Sequence, residues 1–155
     1  MKLAEGLALR ADAVRRVEQL RARIGGSARH QEGEPPAEDA AALLVEVGEV
    51  LGELESLIRR INRTNAAIEV EGGTLTDALA RRDVLKLRHS VVSDAARAAA
   101  GDGRPGAYRQ LRSELKMIAV LPVAELRRQA DDLARQLREV DTLVQRTNWE
   151  VDLLD

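Results

Sequence analysis

The sequence has no cysteine and no phenylalanine, and it holds one tryptophan, one tyrosine and two histidines in 155 residues. The absence of cysteine excludes disulfides, thiolate metal sites and a thiol nucleophile. The shortage of aromatic residues argues against a β-sandwich, whose strands are rich in aromatic and β-branched side chains. What is present is 45% hydrophobic and 32% charged residues, a composition typical of helices that pack through aliphatic rows.

The sequence also lacks a long apolar run. No stretch approaches the ~20 residues that a membrane-spanning helix needs, and the first residues do not form a basic and then apolar signal segment. A net charge of −2 gives no general attraction to nucleic acid or to an anionic membrane. We therefore expect a soluble, cytoplasmic protein without a membrane partner, and a single domain over residues 1–155.

The spacing of apolar residues predicts two long helices in the first 67 residues. The first extends from about residue 2 to residue 24 and ends at Gly25-Gly26. A polar loop over residues 27–36 follows, and the second helix begins near residues 37–39. The first apolar row is Leu3, Leu7, Ala11, Val14, Val17, Leu20 and Ile24, and the second is Leu43, Val47, Val50, Leu54, Leu57 and Ile61. The next position of the second row is assigned to Asn65.

A short alternating segment separates the second helix from the third. Residues 68–70 and 74–76 alternate around Gly72-Gly73, which predicts a small β-hairpin. Thr74 or Thr76 is then expected to cap the third helix. The row assigned to that helix is Leu79, Asp83, Leu87, Val91 and Ala95, so that a carboxylate interrupts it.

The last helix has the longest apolar row. Residues 102–107 read as a loop, residues 108–121 are compatible with either strand or helix, and Pro122 fits the first turn of the last helix. Its row is Leu126, Ala130, Leu133, Leu137, Val140, Val144, Thr147 and Val151. The predicted fold is all-α, an antiparallel four-helix bundle with coiled-coil-like packing and a small β-hairpin between helices 2 and 3.

Up-and-down topology brings the ends of helices 2 and 4 to the same pole as the starts of helices 1 and 3. The polar residues expected at this pole are Asn62, Thr64, Asn65, Asp77, Arg81, Arg82, Asp83, Arg146, Asn148 and Trp149. One interpretation is a buried polar network that fixes the helix alignment. The other is a pocket for a small anion or a nucleotide-like ligand, held by Arg81, Arg82 and the start of helix 3.

The sequence carries no recognisable pattern for a metal, a cofactor or a catalytic triad. A di-iron bundle needs Glu-x-x-His on two helices, but His30 lies in a polar loop and His89 in mid-helix. Gly-x-Ser-x-Gly and the Gly-x-x-x-x-Gly-Lys phosphate loop are both absent. We therefore predict no cofactor, no metal and no catalytic residue.

Charge is distributed unevenly along the chain. Residues 1–30 hold seven Lys or Arg against three acidic residues, whereas residues 31–58 hold eight acidic residues and no Lys or Arg. We expect helices 1 and 2 to complement each other, within one chain or between subunits. Arg104, Arg109, Arg112 and Lys116 form a second basic stretch near Tyr108, but two aromatic residues are too few for a nucleic-acid stacking surface.

Four segments resemble a family of small bacterial proteins of unknown function, some of which are named septicolysin. The segments are Ile61-Asn62-Arg63-Thr64-Asn65, residues 74–83, Arg112-Ser113-Glu114-Leu115-Lys116 and Asn148-Trp149, and the resemblance includes residues 31–34. It implies a helical fold and no established activity. The leading hypothesis is therefore a self-associating helical protein that works through interaction. The alternative is a small-ligand-binding or enzymatic protein that uses the polar pole.

Overall fold

The structure, a computed structural model, describes residues 1–101 and 116–155 of the chain. Within these residues it has four helices, α1 (Leu3–Ser27), α2 (Ala40–Ala67), α3 (Leu75–Ala99) and α4 (Val123–Glu150). Two short antiparallel strands, β1 (Glu69–Val70) and β2 (Gly73–Thr74), lie between α2 and α3. The predicted all-α class and the predicted position of the β-hairpin are confirmed.

The chain divides into two compact units, residues 1–75 with 145–155 and residues 76–144. The first unit is built on an antiparallel hairpin of α1 and α2. Arg16 pairs with Glu46, and Arg23 pairs with Glu38 through hydrogen bonds of 3.0 and 3.1 Å from Nε, so charge complements charge across the hairpin. The N-terminus of α2 is capped by the carboxylate of Asp39, which accepts from two backbone N–H groups.

Helix α1 differs from its prediction at its end and in its buried row. It continues through Gly25 and Gly26 to the buried Ser27, at a cost of about 1 kcal/mol for each helical glycine. The ion pair between Arg23 and Glu38 holds this last turn. The inner row is Leu3, Gly6, Ala13, Val17, Leu20, Ile24 and Ser27. Ala11 and Val14, which were predicted to be inside, are exposed because the row passes through Gly6, which carries no hydrophobic signal.

The predicted row of α2 lies on its inner face. Leu43 and Ile61 are buried and the four residues between them are half-buried. The row continues to Thr64, which is completely buried, and Asn65 is only half-buried. The assignment of Asn65 to the row was therefore wrong. Steps of four and three residues alternate along the row, so the step after Ile61 is three residues and leads to Thr64.

The turn of the β-hairpin contains two glycines. Gly72 has φ 87° and Gly73 has φ 142°, backbone angles that residues with a Cβ rarely adopt. The N–H of Leu75, the first residue of α3, then donates to the carbonyl oxygen of Ile68 at 2.8 Å. Thr74 directly precedes α3 and Thr76 lies inside it, so only Thr74 has the position of a cap.

In the second unit α3 and α4 run antiparallel. Arg82 of α3 approaches Asp141 of α4 at 3.9 Å, while Arg88 and Val92 line one groove with residues 125–136. The row predicted for α4 is confirmed, since each member that lies in this unit is buried or half-buried.

The row assigned to α3 was wrong. The unit buries Ala78, Leu85 and Ala96, whereas Asp83, Leu87 and Val91 are exposed. Two members of this buried row are alanines, whose small side chains left no strong hydrophobic signal in the sequence. Asp83 therefore interrupts no buried row.

Some predictions are not decided by these residues. The basic stretch at Arg104, Arg109 and Arg112 with Tyr108, and most of the segment 112–116, lie outside the described residues. Residues 116–120 are described and form neither strand nor helix. In the described part of the chain no helix is long and apolar enough to cross a membrane. The prediction of a single domain stays a prediction.

Candidate functional site

The ten residues of the predicted polar pole are divided between the two units. Asn62, Thr64, Asn65, Arg146, Asn148 and Trp149 belong to the first, and Asp77, Arg81, Arg82 and Asp83 belong to the second. In the first unit, the start of α1, the end of α2 and the end of the chain come together as the topology predicts. Thr64 and Asn148 are buried there, whereas Asn62, Arg146 and Trp149 are exposed.

Thr64 is the central polar residue of the first unit. Its hydroxyl donates to the carbonyl oxygen of Arg60 at 2.8 Å and accepts from the backbone N–H of Leu154 at 3.0 Å. Both capacities of this hydroxyl are thus used by the protein itself, and no atom of a ligand is needed to satisfy it. This geometry is that of a structural polar contact.

The two ends of the chain are joined around Thr64, and we call this region, residues 1–6, 60–64 and 150–155, the terminal clasp. Leu3 N–H donates to the carbonyl oxygen of Val151 at 3.0 Å, and Leu153 N–H donates to that of Met1 at 2.9 Å. The side chains of Leu3, Ile61 and Leu153 fill the interior. An added Cβ at Gly6 would lie 2.9 Å from Cδ2 of Leu153, so the glycine admits this leucine.

Two ion pairs strengthen the terminal clasp. Lys2 Nζ lies 3.0 Å from Asp152 Oδ1 and also donates to the carbonyl oxygen of Glu150. The hydrogen bond from Lys2, followed by its positive charge, lowers the pKa of Asp152. Arg60 Nη2 lies 2.9 Å from Asp155 Oδ1 and its Nε donates to the carbonyl oxygen of Leu154. Sequence reasoning missed all these contacts, because they join residues about 90 to 150 positions apart.

The polar residues of the second unit form a surface ion pair. Arg82 contacts the carboxylate of Asp83 at 3.3 Å and that of Asp141 at 3.9 Å, and Asp83 is largely exposed. Asp77 and Arg81 are also exposed, on the first turns of α3. Within this unit two carboxylates lie beside the guanidinium of Arg82. Their negative charge offsets its positive charge, which weakens the attraction of Arg82 for an anion.

An open groove of about 530 Å³ lies between α3 and α4. Its lining residues are Arg88, Val92, Glu125, Arg128, Gln129, Asp132, Leu133 and Gln136. Arg128 is paired with Glu125 at 2.5 Å, and Asp132 is paired with Arg135, so the ionic groups that α4 contributes to the groove are matched within α4 itself. These hydrogen bonds from arginine, with the arginine charge, lower the pKa values of Glu125 and Asp132. No group of three or more metal-ligating side chains occurs among residues 1–101 and 116–155.

The most unusual surface of the first unit is apolar. On α2, Leu44, Leu51 and Ile58 recur every seven residues and are 58%, 47% and 39% exposed. On α1, Val14 is 46% exposed and Leu7 is half-buried at the same spacing. We call these five residues the hairpin apolar face. The sequence signal was present, because Leu7 and Val14 belong to the predicted row of α1 and the three residues of α2 lie beside its predicted row. The prediction did not say which of them a partner helix would leave uncovered.

A second apolar row is exposed in the second unit. Val84, Leu87 and Val91 of α3 are 55%, 68% and 68% exposed. Their spacing of three and four residues places them on one side of the helix. In the described residues more large apolar side chains are exposed than are buried. Soluble monomers rarely expose contiguous apolar rows of this kind, which mark interaction surfaces.

Comparison with known proteins gives a relative of known structure but no function. A crystal structure of a functionally unknown conserved protein from Corynebacterium diphtheriae is similar to this chain, with a TM-score of 0.90, 39% sequence identity and coverage of 99% of each chain. No curated protein matches. Residues 10–153 match the family described as Family of unknown function (DUF6847), and the chain belongs to this family.

Proposed function

We propose that this protein is a self-associating helical protein that works through its surfaces rather than through a catalytic centre. The observation that carries the proposal is the exposure of apolar side chains in ordered rows, on the hairpin apolar face and on α3. Each of these rows lies on a well-formed helix, so the exposed side chains are held in a fixed arrangement. A partner that covered them would remove apolar surface from water at about 25 cal/mol per Å².

The test is the mass of the protein in solution. Sedimentation equilibrium between about 1 and 100 µM, a range that spans typical homodimer affinities, should give a species of at least twice the 17.0 kDa chain mass. Native mass spectrometry of the same protein, purified gently from its own kind of cell, should give the same multiple. A species of one chain mass at every concentration would refute the proposal.

Two narrower proposals accompany this one. We place the protein in the cytoplasm, because the sequence has no cysteine. We also propose kinship with the septicolysin-named proteins, on the segments 61–65, 74–83 and 148–149. Fractionation of the source cell tests the first of these, and alignment of such proteins over those segments tests the second.

A further inference from the structure

We infer that the hairpin apolar face is the self-association surface, and that it packs against the same face of a second copy with α1 of one copy opposite α2 of the other. The inference rests on the proposed function and adds the surface and the arrangement. It predicts a four-helix bundle assembled from two α1–α2 hairpins.

The α1–α2 hairpin has a charged flank and an apolar flank on each helix. On α1, Arg16 and Arg23 lie on one flank of the inner row, whereas Leu7 and Val14 lie on the other flank. The same holds for α2, where Glu46 lies on one flank and the row Leu44, Leu51 and Ile58 on the other. These positions follow from the 100° turn between successive residues of an α-helix.

The ion pairs of the hairpin place both apolar flanks together. Because Arg16 pairs with Glu46 and Arg23 pairs with Glu38, the charged flank of α1 meets the charged flank of α2. The apolar flanks must then meet on the opposite side of the hairpin. One side is therefore closed by ion pairs, and the other is an apolar strip along two helices. Two helices alone cannot enclose a core, since each can cover only one side of the other.

The size of the apolar strip bears on what covers it. The apolar row of α2 extends from Leu44 to Ile58, about 21 Å at 1.5 Å per residue, and two helices are about 20 Å wide. The projected area is thus about 400 Å², half of the ~800 Å² per partner of a stable interface. A second copy supplies an antiparallel helical hairpin of the same length to cover this strip.

The charges of α1 and α2 select between two symmetric arrangements of the two hairpins. A two-fold axis parallel to the helices brings α1 opposite α2 of the second copy, whereas a perpendicular axis brings α1 opposite α1. Arg16, Arg23 and Glu46 are already paired on the other side of the hairpin and are left out of the comparison. The rest of residues 10–23 on α1 carries three arginines and two acidic residues, a net positive charge. The rest of residues 46–58 on α2 carries three glutamates and no Lys or Arg. The parallel axis places opposite charges together, and the perpendicular axis places like charges together.

The glycines of α2 agree with this arrangement. Gly48 lies between Leu44 and Leu51 along the helix, and an added Cβ there would meet no atom within 4 Å. Among residues 1–101 and 116–155 of one chain, no neighbour requires this glycine. A helix of the second copy that lies over Leu44 and Leu51 would approach the backbone at Gly48 closely.

The experiment compares the dissociation constant of the wild-type dimer with those of matched variants by sedimentation velocity. Leu51→Glu and Val14→Glu should each weaken the dimer about 100-fold or more, since each places two carboxylates in the apolar contact. Val45→Glu makes the same change at a residue of α2 that is 65% exposed and lies off the strip, and it should leave the constant unchanged. Because Leu51 and Val14 are half-exposed, all three variants should keep the helix content of wild type. Leu51→Glu and Val14→Glu should lose only the part of the melting temperature that depends on protein concentration.

The arrangement is tested with thiols, which the protein lacks. The Arg16–Glu46 pair places Val14 and Leu51 within about one helical turn of the same height along the hairpin. A mixture of Val14→Cys and Leu51→Cys chains should therefore be joined by a short bis-maleimide into mixed dimers. Val14→Cys alone should crosslink much less, and equal crosslinking of that variant with itself would overturn the α1-to-α2 arrangement.

The outcomes separate this inference from the proposed function. A wild-type protein that is monomeric at every concentration overturns both. A wild-type dimer that is unaffected by Leu51→Glu and Val14→Glu, but lost in Val91→Glu on α3, preserves self-association and overturns the assignment to the hairpin apolar face. Loss of the dimer in Leu51→Glu and Val14→Glu, with its retention in Val45→Glu, supports the inference.

Discussion

The terminal clasp and the middle of the α1–α2 hairpin belong to the same unit, but they bury their apolar residues to very different degrees. In the clasp, the start of α1, the end of α2 and the last residues of the chain surround Leu3, Ile61 and Leu153, which are buried. In the middle of the hairpin the described residues of this unit supply only two helices, and Val14 and Leu51 are half-exposed. A pair of helices therefore buries a closed core only where a third segment, here the last residues of the chain, packs against both.

The largest effect is expected from Leu3→Ala, which opens the clasp. Leu3 is fully buried, and truncation of such a leucine costs about 2–5 kcal/mol of unfolding free energy. Leu9→Ala on the same helix is the control, because Leu9 is 45% exposed and should lose under about 1 kcal/mol. Urea denaturation measures both values. Equal losses would mean that the clasp is no better closed than the hairpin.

The next effect tests the polar centre of the clasp. Thr64→Val keeps the shape of the side chain but leaves the backbone N–H of Leu154 without its acceptor, at a cost of about 1–3 kcal/mol. Thr142→Val is the matched control, because its hydroxyl also donates to a carbonyl four residues earlier but is exposed. Thermal unfolding should separate the two variants by several degrees. If Thr142→Val is as destabilised as Thr64→Val, the tertiary hydrogen bond contributes nothing.

A smaller effect distinguishes two helical glycines. Glycine to alanine in a helix interior usually stabilises by about 1 kcal/mol, and Gly48→Ala should show this gain in the unfolding of the monomer, because the space is open. Gly6→Ala should lose most of that gain, since its Cβ would press against Leu153. Equal stabilisation of both variants would mean that Leu153 does not restrict the side chain at position 6. Weaker self-association of Gly48→Ala would place Gly48 in the interface.

The smallest effect concerns the ion pair of the clasp at low pH. Lys2 lowers the pKa of Asp152 in the folded protein, so the carboxylate contributes stability above the ordinary aspartate pKa of about 3.9. That contribution is lost as the pH falls through the lower, folded value. Lys2→Met should therefore shift the acid-unfolding midpoint slightly upward in pH, whereas Lys86→Met in α3 should not. Far-UV circular dichroism from pH 5 to pH 2 covers this transition, and coincident curves for the two variants would contradict the prediction.

Much of the fold was predictable because it depends on local periodicity. The rows of α2 and α4 are long and regular, and both lie on inner faces as predicted. The hairpin at Gly72-Gly73 was predictable because its turn needs positive φ, which glycine adopts readily. Residue spacing alone identified these elements without knowledge of any distant contact.

The rest required information that spacing does not contain. The buried row of α3 contains Ala78 and Ala96, and small residues give a weak hydrophobic signal although they allow close packing. The terminal clasp joins residues that are far apart in sequence, so no local pattern reveals it. The predicted topology brought Thr64, at the end of α2, to the start of α1, but it could not show that its hydroxyl donates to Arg60 and accepts from Leu154.

The terminal clasp also orders the events of folding in time. Its hydrogen bonds link Leu3 to Val151 and Met1 to Leu153, so on the ribosome the start of α1 must wait for almost all the remaining residues to be made. During that interval the α1–α2 hairpin, whose contacts are closer in sequence, can already form. The emerging chain would then carry its apolar strip before its interior at the clasp is closed, and neighbouring nascent copies could pair through that strip while synthesis continues.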